Sequence, residues 1–330
     1  MKKIINDPEH AVQDMIKGLV AAYPQQLKQI KGTNVIIRKE APVANKVGLV
    51  SGGGSGHEPA HAGYIGNGML DAAVVGEVFT SPTPDQVLEA IKAVDSGAGV
   101  LLIIKNYTGD VMNFEMAAEM AEAEGIQVDK VIVNDDVAVE NSTATTGRRG
   151  IAGTVLVHKI AGAMAEQGAS LKEVKDIAEK VIAGVRSMGV ATAACTVPAA
   201  GKQSFELAED EMEIGIGIHG EPGIERKKLT SAAEIAQELT DKVLADLDFK
   251  DSEVAVMING LGSTPEMELY IVNQTVQEIL AEHEIKVSHT FVGEYMTALE
   301  MAGCSVTLLK VDKELKALLD AHSTALAFKM

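Results

Sequence analysis

A chain of 330 residues is long enough to bury a core and to divide into two domains. Its hydrophobic fraction, 46%, is ordinary for a globular protein, and with only 3% aromatic residues and no Trp the interior falls to small aliphatic side chains and Gly, which suits α/β packing better than an all-β sandwich. Lys+Arg 29 against Asp+Glu 47 leaves a formal charge of -18, which repels phosphate backbones and excludes nucleic acid as a partner.

The N-terminal run MKKIINDPEHAVQDM enters an amphipathic helix pattern without an apolar signal region. No apolar run approaches the roughly 18 residues that span a bilayer. The expectation is a cytoplasmic protein with no membrane partner. Short apolar, β-branched runs then alternate with helix-period segments. Strands are expected at Asn34–Arg38, Val47–Val50, Ala72–Val75, Gly99–Ile104 and Lys130–Val133, with helices at Pro84–Ser96 and Met112–Glu124. Short strands that are apolar on both faces are covered by helices on both sides. From about Ile151 to Arg186 the pattern is two helices broken at Gln167–Ser170, with Ser170 as N-cap. A second alternating block has strands at Gly189–Val197, Glu213–Ile218, Val254–Asn259 and Val306–Val311, and helices near Ala232–Leu244 and Glu266–Glu282. The fold class is therefore α/β: two α/β domains, residues 1–186 and 187–330, each with a largely parallel or mixed sheet flanked by helices. Cys195 and Cys304 lie in apolar, strand-like runs and read as buried reduced thiols.

Four loops follow buried-strand patterns, where α/β proteins place ligands. The first is Ser51-Gly52-Gly53-Gly54-Ser55-Gly56-His57-Glu58-Pro59. It misses the P-loop, the dinucleotide fingerprint and the nucleophile elbow, so what it offers is a tight turn lined by amides that presents one imidazole. A purely structural turn, with His57 as a cap, accounts for the same residues. The second, Lys105-Asn106-Tyr107-Thr108-Gly109-Asp110, could hold a polar ligand and supply a base, or Asp110 could cap a helix that begins near Val111. The third alternates Gly and Ile from Ile214 to Ile218 and ends on His219-Gly220-Glu221-Pro222-Gly223, reading as a strand whose Gly face is closely approached. The fourth, Asn259 to Pro265, reads as turn chemistry, with Ser263 or Thr264 as N-cap and Pro265 as the first helical residue. Thr146-Gly147-Arg148-Arg149-Gly150 reads as a helix entry rather than an anion clamp.

Taken together, SGGGSGHEPAHAGYIGNGMLDAA, GEVFTSPTPDQ, LLIIKNYTGDVMNFEMA, GRRGIAGT and GIGIHGEPG resemble the K, dihydroxyacetone-binding, subunit of the multi-subunit, phosphotransferase-dependent dihydroxyacetone kinases of bacteria. The resemblance runs over essentially the whole chain. It implies that His219 adds through a ring nitrogen to the substrate carbonyl, giving a hemiaminal. It also implies that His57 and Asp110 serve as acid/base partners, that Gly54, Ser55, Gly56 and Lys105 contact substrate, and that Ser81 is a weaker candidate contact. No metal ligand and no bound cofactor is implied for this chain. The resemblance further implies that an adenine nucleotide with Mg sits on a partner L subunit, which a phosphotransferase-system M subunit recharges from phosphoenolpyruvate, and that the K subunit itself is a homodimer. The competing reading within the resemblance is a coactivator paralogue that binds dihydroxyacetone for a transcription factor without catalysis. The joint presence of His57, Asp110 and His219 favours the enzyme.

Overall fold

The structure, a computed structural model, describes residues 2–140 and 147–330. The first sheet holds β1 (Leu27–Gln29), β2 (Val35–Arg38), β3 (Gly48–Ser55), β4 (Ala72–Val78), β5 (Val100–Lys105) and β6 (Val128–Val133) in the order β1-β2-β4-β3-β5-β6. The β4, β3, β5 and β6 strands run parallel, whereas β2 and β1 join antiparallel. Helices α1 (Ala11–Ala22), α2 (Pro84–Val94), α3 (Thr108–Ala123), α4 (Thr154–Glu166) and α5 (Leu171–Gly184) belong to this half. On β5 the period of two is visible in the packing. Leu102 and Ile104 join α2 and α3 through Ile91 and Phe114, while Leu101 and Ile103 face α4 and α5 through Leu156 and Val181.

The second sheet holds β7 (Val185–Ala193), β8 (Glu211–Ile214), β9 (Glu225–Lys228), β10 (Glu253–Gly260), β11 (Lys286–Gly293) and β12 (Ala302–Val311) in the order β11-β10-β12-β7-β8-β9. It is mixed: β10 and β11 are parallel and the remaining pairs antiparallel. One face is covered by α6 (Ala232–Asp246) and α7 (Glu266–Glu282) through Leu239, Val243, Leu269 and Val276. The other packs on α4 and α5, where Met257 and Leu309 share a core with Leu49, Ile103 and Ile160. Helix α4 is thus the middle of the molecule. All its residues except Met164 and Glu166 are buried, the polar Thr154, His158 and Lys159 included. After α8 (Lys313–Asp320) the hairpin β13 (Thr324–Ala325) and β14 (Phe328–Lys329) returns to the first half. There Thr324 donates its amide to Asn67 and Ala327 donates to Gly63.

Several expectations shift in detail. The strand expected to stop at Val50 continues to Ser55, so most of the Gly-rich segment is strand rather than turn. The cause is steric: a Cβ on Gly52 would lie 2.3 Å from the Val74 carbonyl oxygen, so only glycine lets β3 and β4 pair there. Helix α3 starts at Thr108, not near Val111, and Asp110 sits in its first turn. Strand β8 ends at Ile214, because Gly215 turns the chain with φ of 78°. Of Thr146–Gly150, Thr146 lies outside the described residues, and the rest is no helix entry, since α4 begins at Thr154. The N-cap of α7 is Pro265, while Thr264 Oγ1 instead bonds both main-chain groups of Gly303. Ser170 caps α5 as expected, in a capping box with Glu173.

Candidate active site: two facing imidazoles between the sheets

Three strand ends deliver the site. The end of β3 carries Gly53 to Gly56 and turns into His57. The end of β5 carries Lys105, with Tyr107 and Asp110 opening α3. The turn after β8 carries His219. The rings of His57 and His219 stand edge to face with centroids 4.8 Å apart. Phe79 stacks on His57 at 5.1 Å and 20°, and Tyr107 stands against His219 at 4.5 Å and 87°. Tertiary structure therefore brings together His57, Asp110, His219 and Lys105.

Each imidazole is oriented through Nδ1. In His57, Nδ1 lies 2.7 Å from the carbonyl oxygen of Thr297. An oxygen acceptor requires the proton on Nδ1, which leaves a lone pair on Nε2, and that atom is buried without a partner. Burial, then the nearby Lys105 and His219 charges, holds His57 well below the usual imidazole range, so the ring is neutral. In His219, Nδ1 lies 2.8 Å from Glu221 Oε1 and the main-chain amide donates to Glu221 Oε2 at 2.9 Å. Burial acts to raise the Glu221 carboxyl, but the hydrogen bond and charge of His219, with Arg149, bring it down to about 2. Glu221 is therefore a carboxylate at neutral pH, and His219 also presents Nε2.

The polar floor lies beside Gly53. A Cβ there would lie 3.3 Å from Lys105 Nζ and 3.6 Å from Asp110 Oδ2, so both groups crowd one main-chain position. Lys105 is fully buried, and its Nζ lies 5.2 Å from the Tyr107 ring centroid without a hydrogen-bond partner. Burial lowers its pKa, with Asp110 and Glu221 opposing. Asp110 does not cap its helix. Its Oδ1 accepts a 2.5 Å hydrogen bond from Ser81 Oγ, which places Ser81 as a support for Asp110. Ser55 is the outlier: its hydroxyl donates to the Gly76 carbonyl at 2.6 Å, which leaves its side chain committed to structure. Gly54 and Gly56 are tightly enclosed, by Thr80 and by Phe79 and Leu299 respectively. Among the described residues no cluster of three or more His, Cys, Asp or Glu side chains is arranged to hold a metal ion. A cavity of about 450 Å³ adjoins the same end of β3, lined by Gly53, Gly54 and Ser55 with Met15, Leu19 and His61, but none of His57, Lys105, Asp110 or His219 lines it.

A family model for the Dak1 domain matches residues 17–327. The chain belongs to the Dak1 family. A Dak1 relative from Listeria innocua, "PTS-dependent dihydroxyacetone kinase 1, dihydroxyacetone-binding subunit DhaK", is 56% identical over 95% of this chain and 95% of its own. The Escherichia coli relative, "PEP-dependent dihydroxyacetone kinase, dihydroxyacetone-binding subunit DhaK", is 46% identical over 99% of each. Among solved Dak1 structures, "Dihydroxyacetone kinase operon co-activator Dha-DhaQ" superposes with a TM-score of 0.91 at 39% identity, covering 96% of this chain and 98% of that one. The dihydroxyacetone kinase of C. freundii superposes with a TM-score of 0.89 at 38% identity, covering all of this chain and 60% of that one.

Four further residues join this candidate site without a strong mark in the sequence: Glu221, Tyr107, Phe79 and Thr297. Glu221 had a local signal, standing two residues after His219 in a Gly-flanked turn. Thr297 had none, because its partner is distant in the chain.

Proposed function

We propose that this chain is the dihydroxyacetone-binding subunit of a dihydroxyacetone kinase, active only with partner subunits. The observation that carries it is the pair of facing imidazoles, both with Nδ1 committed to an oxygen and Nε2 left as the reactive nitrogen, beside a buried Lys105 and Asp110. In this reading His219 Nε2 forms a bond to the ketone carbon as the carbonyl π pair moves to oxygen. That oxygen takes a proton relayed from solvent through His57 Nε2, and the resulting imidazolium is balanced by Glu221. The adduct anchors a substrate too small to offer many contacts, and it rejects glycerol, which has no carbonyl. The hydroxyl of the anchored substrate attacks the donor phosphoryl group, its proton passing to Asp110 while the bond to the nucleotide breaks. Lys105 and the main chain of Gly54 to Gly56 hold the substrate oxygens.

The donor belongs to the same proposal. It is an adenine nucleotide with Mg on an L-type subunit, recharged from phosphoenolpyruvate through a phosphotransferase M subunit, with the present chain a cytoplasmic homodimer divided near Arg186. The C. freundii kinase, solved "in complex with AMP-PNP and Mg2+", is consistent with a nucleotide donor. The likeness to a co-activator favours a second reading, in which the site only senses dihydroxyacetone. A coupled assay for dihydroxyacetone phosphate with a nucleotide-loaded L subunit separates them. Product that depends on His219 supports the kinase; an adduct on His219 without product supports the sensor.

A further inference from the structure

The two imidazoles share a tautomer but not a partner. The Nδ1 proton of His57 meets a neutral main-chain carbonyl, whereas that of His219 meets a carboxylate that also takes the amide of the same residue. A carboxylate that grips both the ring and the main chain of one histidine fixes the ring's orientation and stabilises the imidazolium formed as Nε2 attacks. A carbonyl does the second of these only weakly.

The grip depends on Gly217. A Cβ on that residue would lie 1.9 Å from Glu221 Oε2 and 2.6 Å from Arg149 Nη1, so the carboxylate and the guanidinium meet over the same bare α-carbon. Arg149 is itself fixed, its Nε donating to Asp136 at 2.8 Å and its Nη2 to the Gly215 carbonyl at 2.9 Å. It ties the turn that carries His219 to the segment after β6, and it supplies positive charge behind Glu221. Glu221 is also held by its main chain, its carbonyl accepting from the Gly217 amide at 3.1 Å.

We propose that Arg149, Gly217 and Glu221 form a positioning unit that holds His219 with its proton on Nδ1 against a carboxylate, where His57 has only a carbonyl, and that this negative partner decides that His219 rather than His57 is the nucleophile. This rests on the reading of His219 as the residue that captures the carbonyl. Glu221→Gln is the diagnostic change, because the ring and the main-chain N–H meet different carboxylate oxygens and a primary amide replaces one of those acceptors by an NH2 donor. If its NH2 turns toward the ring, it donates to Nδ1 and moves the ring proton to Nε2, which removes the nucleophilic lone pair.

The test has two parts, both on the full-length chain. Two-bond proton–nitrogen NMR on the unaltered protein reads the His219 tautomer directly; the expected result is a proton on Nδ1 and a bare Nε2. Adduct formation is then followed by NMR with carbonyl-labelled dihydroxyacetone, with no partner subunit present. Glu221→Gln is expected to slow it on the order of 10²- to 10⁴-fold, as when a carboxylate behind a catalytic histidine becomes an amide. Gly217→Ala, which pushes the carboxylate aside while leaving every ionisable group in place, should act in the same direction, and formate should partly rescue Glu221→Ala. A wild-type His219 protonated on Nε2 overturns the proposal whether or not the variants fold. So does a folded Glu221→Gln that forms adduct within about threefold of wild type while His219→Ala forms none. An adduct that survives His219→Ala would sink the capture assignment itself, and this role with it.

Discussion

His57 donates from Nδ1 to the carbonyl oxygen of Thr297, 240 residues further along the chain, at 2.7 Å. The same threonine donates its amide to His57 O and its hydroxyl to Glu58 O at 2.8 Å, while Leu299 donates to Gly56 O at 2.7 Å. The end of the Gly-rich strand is thus clasped by the segment that leads into β12, and the clasp sets which nitrogen of His57 is bare.

Thr297→Val keeps the shape and removes the hydroxyl. The Glu58 carbonyl loses its donor, so stability should fall by about 1 to 2 kcal/mol. Turnover should fall more than ligand retention, since His57 loosens while His219 is untouched. Urea unfolding and the coupled assay measure the two effects, and unchanged turnover would remove Thr297 from the account of His57.

His219→Ala and Asp110→Asn should separate capture from transfer. The first is expected to abolish retention of dihydroxyacetone through gel filtration. The second should retain the ligand and lose turnover on the order of 10²- to 10⁴-fold, the usual worth of a positioned general base. Normal turnover by Asp110→Asn would show that the base lies elsewhere.

Gly109→Ala tests the support of Asp110. A Cβ there would lie 2.7 Å from Ser81 Oγ and displace it from the carboxylate. Turnover should drop roughly tenfold or more, the scale of one hydrogen bond to a charged group, and Ser81→Ala should reproduce the drop. Stability should change by no more than about 1 kcal/mol, because alanine favours the helix. Equal turnover in both variants and wild type would remove Ser81 from the site.

Three buried imidazoles should make the protein less stable on mild acidification, against the opposite contribution of Asp136, whose carboxyl burial raises to about 6. His57, His61 and His158 are buried and neutral, burial holding each below the usual imidazole range, with His158 at about 3. Unfolded, each binds a proton near pH 6.5, so between that pH and the folded values the unfolded state holds more protons and stability rises with pH. The contribution is complete above pH 6.5 and is lost as pH falls toward 3, at up to about 1.4 kcal/mol per pH unit for each group. Urea midpoints at pH 7.5 and 5.5, measured on the Asp136→Asn variant to remove the opposing carboxyl, check this; equal midpoints would count against neutral buried rings.

Much was legible from local pattern. The runs GVLLII and VAVMIN are strands wherever they are buried, because β-branched and aliphatic residues on both faces demand cover from both sides. Ser170 and Glu173 announce a helix start within four residues. Strands β1, β9 and β11 escaped notice because they end their sheets, and LKQ, ERKK and KVSHTFVG carry the polarity of an edge. The Gly-rich segment has the composition of a turn, since composition records that glycine is permissive but not whether a neighbouring strand needs the room.

The α/β class, the glycines and the titratable residue types at the strand ends are readable locally, because they follow from periodicity and chemistry within a few residues. Packing in three dimensions is what makes His57 and His219 face each other, gives the His57 Nδ1 proton to Thr297, and turns the Ser55 hydroxyl to the main chain while Ser81 turns to Asp110. Those outcomes depend on which strand ends the packing of α4 between two sheets brings together. The bonds of Ser55, Ser81 and His57, across 21, 29 and 240 residues of chain, leave no mark in local composition.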